Sequence, residues 1–193
     1  MKSTPILFSA PMVRAILEGR KTQTRRVVKP QPIRDAFQGQ HGDVVILGRV
    51  PARLRPHPEN PEDPRRAVTD PIPCPYGAPG DRLWVRETWA PFEMGLVIYR
   101  ASAAPSALPD GGKWRPSIFM PRWACRIELE LTAVRVERVQ EISADDACEE
   151  GIDDDDLPPE CIYARLWDSI NGKRAPWASN PWVWVLEFRR VQP

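Results

Sequence analysis

The apolar and polar positions divide the chain into short extended segments separated by a few short helices. Residues 5–8 are an apolar run of strand length. Ser9 then stands where an N-cap belongs, ahead of Val13, Ile16 and Leu17, which share one face of a helix that Gly19 stops. Thr24 to Val28 is extended again, ending at Lys29-Pro30. After the turn Ala78-Pro79-Gly80-Asp81, residues 82–89 alternate as a strand does. Residues 124–139 give the clearest strand signal: Ile127, Leu129 and Leu131 keep one phase, Val134 and Val136 the next, so a bulge or bend is predicted near Thr132 and Ala133. Ser143 followed by Asp146 predicts a capping box that opens a helix through Glu150, ended by Gly151. Pro158-Pro159 opens another, with Ile162, Leu166 and Ile170 on one face and Gly172 at its end. Trp182 to Phe188 is apolar on both phases, which predicts a strand covered on both sides.

Two stretches interrupt this order. Residues 51–79 carry nine prolines and little apolar periodicity, and read as a surface excursion. A second insertion spans about 90–117, where Val97–Ala101 and Trp114–Met120 read as strands flanking a loop that contains Asp110-Gly111-Gly112. At 193 residues the chain suits one domain with these two elaborations. Several strands, few helices and no βαβ alternation predict an α+β fold built on a small β-barrel with short flanking helices.

The formal net charge of +1 conceals an asymmetry. Residues 14–66 are rich in arginine, whereas Glu137 to Glu160 is acidic and includes the run Asp153–Asp156, read as a solvated loop in preference to a metal site. Arginine makes up most of the 27 basic residues, which suits bidentate contacts to phosphate and base edges but equally reflects a codon bias. Cys74, Cys125, Cys148 and Cys161 lack Cys-x-x-Cys spacing, and His41 and His57 stand apart, so neither a metal site nor a cofactor is expected. With no apolar run of membrane-spanning length, the expectation is a reduced, cytoplasmic protein without membrane contact, its oligomeric state open.

The chemistry concentrates in Gly19-Arg20-Lys21-Thr22-Gln23-Thr24, where a lysine and two hydroxyls occupy one bend with Arg25 and Arg26 beside them. Neighbouring cations push an amine toward its neutral form, and a neutral amine within reach of a hydroxyl takes its proton. The plainer reading is a solvated basic turn. Trp84, Trp123, Trp167, Trp182 and Trp184 read as core, whereas Trp114 and Trp177 lie in loops and suit base stacking. Glu87 follows a strand and either faces the barrel mouth as an acidic group or pairs with an arginine.

Gly19–Arg25, Gly80-Asp81-Arg82-Leu83, Glu149-Glu150-Gly151-Ile152 and the last apolar strand together resemble the ASCH family of PUA-like barrels. The wider layout, with Cys74-Pro75-Tyr76-Gly77, Met120-Pro121-Arg122-Trp123 and Asn180-Pro181-Trp182, is similar to ASCH proteins of bacteriophages and prophages. The resemblance implies RNA or a modified nucleoside as partner. In small bacterial members it implies metal-independent hydrolysis of the amide of N4-acetylcytidine by a lysine, a threonine and a glutamate. These roles fall on Lys21, on Thr24, and on Glu150 with Glu149 one place away. Arg20, Thr22, Arg25, Arg26, Glu87 and Trp84 would then contact substrate or nucleic acid. Two other activities fit the resemblance: RNA binding without catalysis, and a ribonuclease in which Lys21 stabilises a phosphorane.

Overall fold

The computed structural model describes residues 1–32, 44–47, 50–55, 58–59, 68–104, 108, 112–152 and 157–191. His41, His57, Asp110 and Asp153–Asp156 lie outside the described residues. The architecture is α+β. Its main sheet has five strands in the order β1 (Ser3–Leu7), β6 (Arg82–Arg86), β9 (Glu128–Arg138), β10 (Trp182–Val191) and β2 (Gln23–Val27). β1 runs parallel to β6, and the other pairings are antiparallel.

The alternation along β10 explains how one sheet serves two cores. Trp184, Leu186 and Phe188 face a core that contains Ile6, Phe8, Leu83, Val85, Leu129 and Leu131, closed by Val13 and Ile16 of α1 (Ala10–Leu17). Val183 and Val185 face the other way, against Ala147 of α2 (Ala144–Glu149) and Tyr163 and Trp167 of α3 (Pro159–Asn171). Both phases of the strand are therefore apolar because both are covered. The predicted irregularity is present: Leu131 pairs with Phe188 and Ala133 with Glu187, which leaves Thr132 as the extra residue.

Among the described residues no ladder joins β1 to β2, so the sheet is open where a barrel was expected. Side chains span that gap. An Arg26 guanidinium nitrogen donates to the Leu7 carbonyl at 2.8 Å, and Phe8 packs on Phe188 with ring centroids 6.2 Å apart.

Three further expectations are corrected. Within 51–79 the chain forms β4 (Val50–Arg55) and β5 (Val68–Pro71), which join β3 (Val44–Leu47) in a separate antiparallel sheet. Prolines mask the alternation there, because Ala52 and Leu54 are buried on one phase while Arg53 is exposed. In the second insertion β8 (Val97–Tyr99) pairs with β7 (Trp89–Pro91), while residues 114–120 contribute only a bridge from Arg115 to Trp89 and one 3-10 turn. In α3 the buried positions are Tyr163 and Trp167, one turn apart, and Ile170 is 54 % exposed. The two aromatic rings offer more area to the sheet than the aliphatic stripe, and they set the rotation of the helix.

Candidate functional site

The bend before β2 is fixed from three sides. Gly19 takes a left-handed φ of 78°, and the amides of Arg20 and Lys21 both donate to the Ala15 carbonyl, at 2.9 and 3.1 Å. The Thr22 amide then donates to the Glu149 carbonyl at 2.9 Å, and the Thr22 carbonyl accepts from the Phe188 amide at 2.8 Å. α2 reaches this point because Ser143 caps it: its hydroxyl accepts from the Asp146 amide at 3.1 Å. Gly151 lets the end of α2 approach, since it has φ 86° and a Cβ there would lie 2.9 Å from Ala15 Cβ and 3.2 Å from Lys21 Cβ.

The result is a buried ionic centre. Lys21 Nζ donates to Glu150 Oε2 at 2.6 Å and to the Glu150 carbonyl at 2.8 Å. Its side chain has no exposed surface and that of Glu150 is 3 % exposed. Arg25 reaches Glu150 Oε1 at 3.3 Å and Asp146 Oδ2 at 3.1 Å, and crosses over β10 to Glu137 Oε1 at 2.7 Å. Tyr163 donates its hydroxyl to Glu150 Oε1 at 3.4 Å. Burial lowers the Lys21 pKa below its ordinary value; Glu150 opposes that shift, and Arg26 and Arg25 reinforce it. Loss of water thus outweighs the nearby carboxylate, and the Lys21 ammonium gives up its proton more readily than a lysine in water. Arg25 shows the opposite balance, where desolvation is outweighed by Glu150 and Glu137 and its pKa is raised. Burial, reinforced by Glu150, lifts the Tyr163 hydroxyl well above its usual range, so it remains a donor.

Thr24 is 2 % exposed and pairs with Leu186, so it faces the core that holds Phe8. The Lys21 amine lies 5.7 Å from the Phe8 ring centroid, which brings lysine and threonine to the same side of the strand edge. Arg25, one residue on, faces the other core with Val185 and lies 5.8 Å from the Tyr163 ring centroid.

The other expected site residues divide. Arg26 lies 5.2 Å from the Phe8 ring centroid. Thr22 is exposed, and Arg20, also exposed, pairs with Glu18 at 2.5 Å. Glu149 is exposed and accepts from Gln23 at 2.9 Å. Glu87 and Trp84 belong elsewhere. Glu87 is 1 % exposed and makes a two-pronged pair with Arg126, at 2.9 and 3.0 Å, while Trp84 has the guanidinium groups of Arg86 and Arg122 at 5.4 and 5.6 Å from its ring centroid. Among the other tryptophans, Trp123 is 68 % exposed where core was expected, and Trp177 packs edge-on against Tyr163. Glu137, Asp146 and Tyr163 were not singled out from the sequence. Strand phase offers a signal for the first: Arg25 and Glu137 occupy like phases of strands separated only by β10.

A cleft of about 990 Å³ opens at the far end of β2. Arg25 and Arg26 begin its lining, Lys29 and Tyr76 continue it, and the end of α3 with Lys173 and Arg174 closes it. Lys21, Thr24 and Glu150 do not line it. Arg25 links the two places, since it lines the cleft and also touches Glu150. Among the described residues no three His, Cys, Asp or Glu side chains group as metal ligands, and no helix is long and apolar enough to cross a membrane. Comparison with protein-family models, with curated proteins and with solved structures found no match.

Proposed function

We propose that this chain is an ASCH-type, PUA-like protein that binds RNA or a modified nucleoside and hydrolyses the amide of an N4-acylated cytidine. The observation that carries this reading is the Lys21–Glu150 pair: a buried lysine held at 2.6 Å, with its pKa lowered, beside a threonine on the same side of an edge strand. A basic turn that served only solubility would leave its lysine in water. The curled sheet, bridged from β2 to β1 by Arg26, is compatible with a barrel-like ancestry.

In the reaction, the neutral Lys21 amine takes the proton of the Thr24 hydroxyl as the oxygen attacks the acyl carbonyl. The tetrahedral intermediate then expels the cytosine amine, which takes that proton from the Lys21 ammonium. The acyl group remains on Thr24 as an ester. Water, deprotonated by Lys21, attacks the ester and releases the carboxylic acid and the free hydroxyl. Glu150 orients the amine and stabilises the ammonium formed in each half. Because Lys21 is 2 % exposed, substrate reaches it only through a local opening of the cover over the bend. A ribonuclease role is less well supported, since a lysine already matched by Glu150 offers little charge to a phosphorane.

The test is incubation of the purified protein with N4-acetylcytidine and separation of products by chromatography. Cytidine and acetate in equal amounts are expected, and no product above the uncatalysed background would end the hydrolase reading.

A further inference from the structure

The cleft at the far end of β2 has a chemistry of its own. Lys29, Lys173 and Arg174 are exposed on its walls, and among the described residues none of them has a carboxylate partner. Among the described residues the acid on the lining is Asp168, and its Oδ1 already accepts the Trp177 amide at 2.6 Å. Exposed cations gathered on one cleft attract a polyanion, and they cost little to leave in water while the space is empty of ligand.

A second kind of group lines the same space. α3 ends in the cleft wall, and its last carbonyls project beyond the helix. The Asp168 carbonyl accepts from Gly172, and that of Asn171 from Arg174 and Ala175, but those of Ser169 and Ile170 accept no hydrogen bond among the described residues. A ligand that fits must therefore bring anionic acceptors for three cations together with neutral donors for two carbonyls. RNA does both, through its phosphates and its 2′-hydroxyls. Half-buried Tyr76 adds a ring on which a base can stack. At about 990 Å³ the cleft sits at the upper end of the range for small-ligand sites, more room than one nucleoside fills.

We propose that this cleft binds a single-stranded RNA segment, with Lys29, Lys173 and Arg174 on its phosphates and the free carbonyls of Ser169 and Ile170 on its 2′-hydroxyls. The choice of RNA over another polyanion rests on the nucleic-acid reading given above; the site itself rests on the cleft. On this proposal the natural substrate is a nucleotide within a strand, since Arg25 lines the cleft and also touches Glu150, the partner of Lys21.

The experiment is fluorescence anisotropy with a labelled oligoribocytidine, compared with the oligodeoxycytidine of equal length, on the full chain and on a K29Q/K173Q/R174Q variant. All three residues are exposed, so the variant is expected to fold; far-UV circular dichroism checks this. Expected are binding of the ribo strand in preference to the deoxy strand, a loss of about tenfold or more in the variant, and a log K against log salt slope near −2, from three contacts at about 0.7 each. Equal binding by the folded variant, preference for the deoxy strand, or displacement by polyglutamate as effective as by unlabelled RNA would overturn the assignment. The two proposals fail separately. Turnover of free N4-acetylcytidine without strand binding removes the cleft and leaves the hydrolase, whereas variant-sensitive binding without turnover does the reverse.

Discussion

Lys21, just before β2, and Arg25, within it, are sealed from water and matched to carboxylates, whereas Lys29, just past its end, is exposed and has no carboxylate partner among the described residues, as holds for Lys173 and Arg174 on the same cleft. The same residue types thus do different physical work within one short stretch. Buried charges need partners supplied by the fold, so Glu150, Glu137 and Asp146 come from α2 and β9 to meet them. Charges left in water need none and remain available to a ligand. Sequence charge alone cannot distinguish the two; the burial of Lys21 and Arg25 by the fold does.

The largest effect is expected at Arg25. Arg25→Met leaves Glu137 and Glu150 buried with less compensation, and urea unfolding should show a loss of about 3–5 kcal/mol. A loss under about 1 kcal/mol would mean that the centre is wet, and the contrast with the cleft would disappear. Glu150→Gln should cost about 3 kcal/mol and also move the pH profile of turnover. Burial places the folded pKa of Lys21 below its ordinary 10.5, so activity should rise with pH through a midpoint under that value. Removing the carboxylate that opposes this shift should move the midpoint lower still. The same depression means that the folded state binds fewer protons than the unfolded chain between the two pKa values, so the contribution of Lys21 to stability improves as pH rises across that window.

Gly151→Ala should cost about 2 kcal/mol, because φ is 86° and the new methyl meets Ala15 and Lys21. It should also slow turnover by shifting the Lys21 side chain. Ser143→Ala removes the cap of α2 and should cost about 1 kcal/mol, with a matching fall in melting temperature. Smallest of all, Arg174→Ala should leave stability within about 0.5 kcal/mol, which separates the open cleft from the sealed centre.

Local signals carried much of this fold. Ser143 with Asp146 announced α2, the phase change at Thr132 announced the irregularity against β10, and the two-phase apolarity of residues 182–188 announced a doubly covered strand. Lys21, Thr24 and Glu150 were legible as a group only through the family resemblance, since no local pattern joins a bend to a helix end more than a hundred residues away. Long-range facts were hidden. Whether the sheet closes depends on β1 meeting β2, a contact without a sequence signature, and the β3–β5 sheet lay behind prolines that break the visible alternation. Glu87 had an arginine partner as one of its two readings, but nothing nearby in sequence pointed to Arg126.

The central claim is that a neutral amine at Lys21 activates the Thr24 hydroxyl, and turnover of N4-acetylcytidine by Thr24→Val and Lys21→Met measures it most directly. Valine differs from threonine by a methyl in place of the hydroxyl at a buried position, and Arg25 still faces Glu150 when lysine is replaced, so both proteins are expected to fold, which circular dichroism checks. The account predicts that the wild type hydrolyses the nucleoside and that each variant loses roughly 100-fold or more. Wild-type rates retained in either folded variant would contradict it.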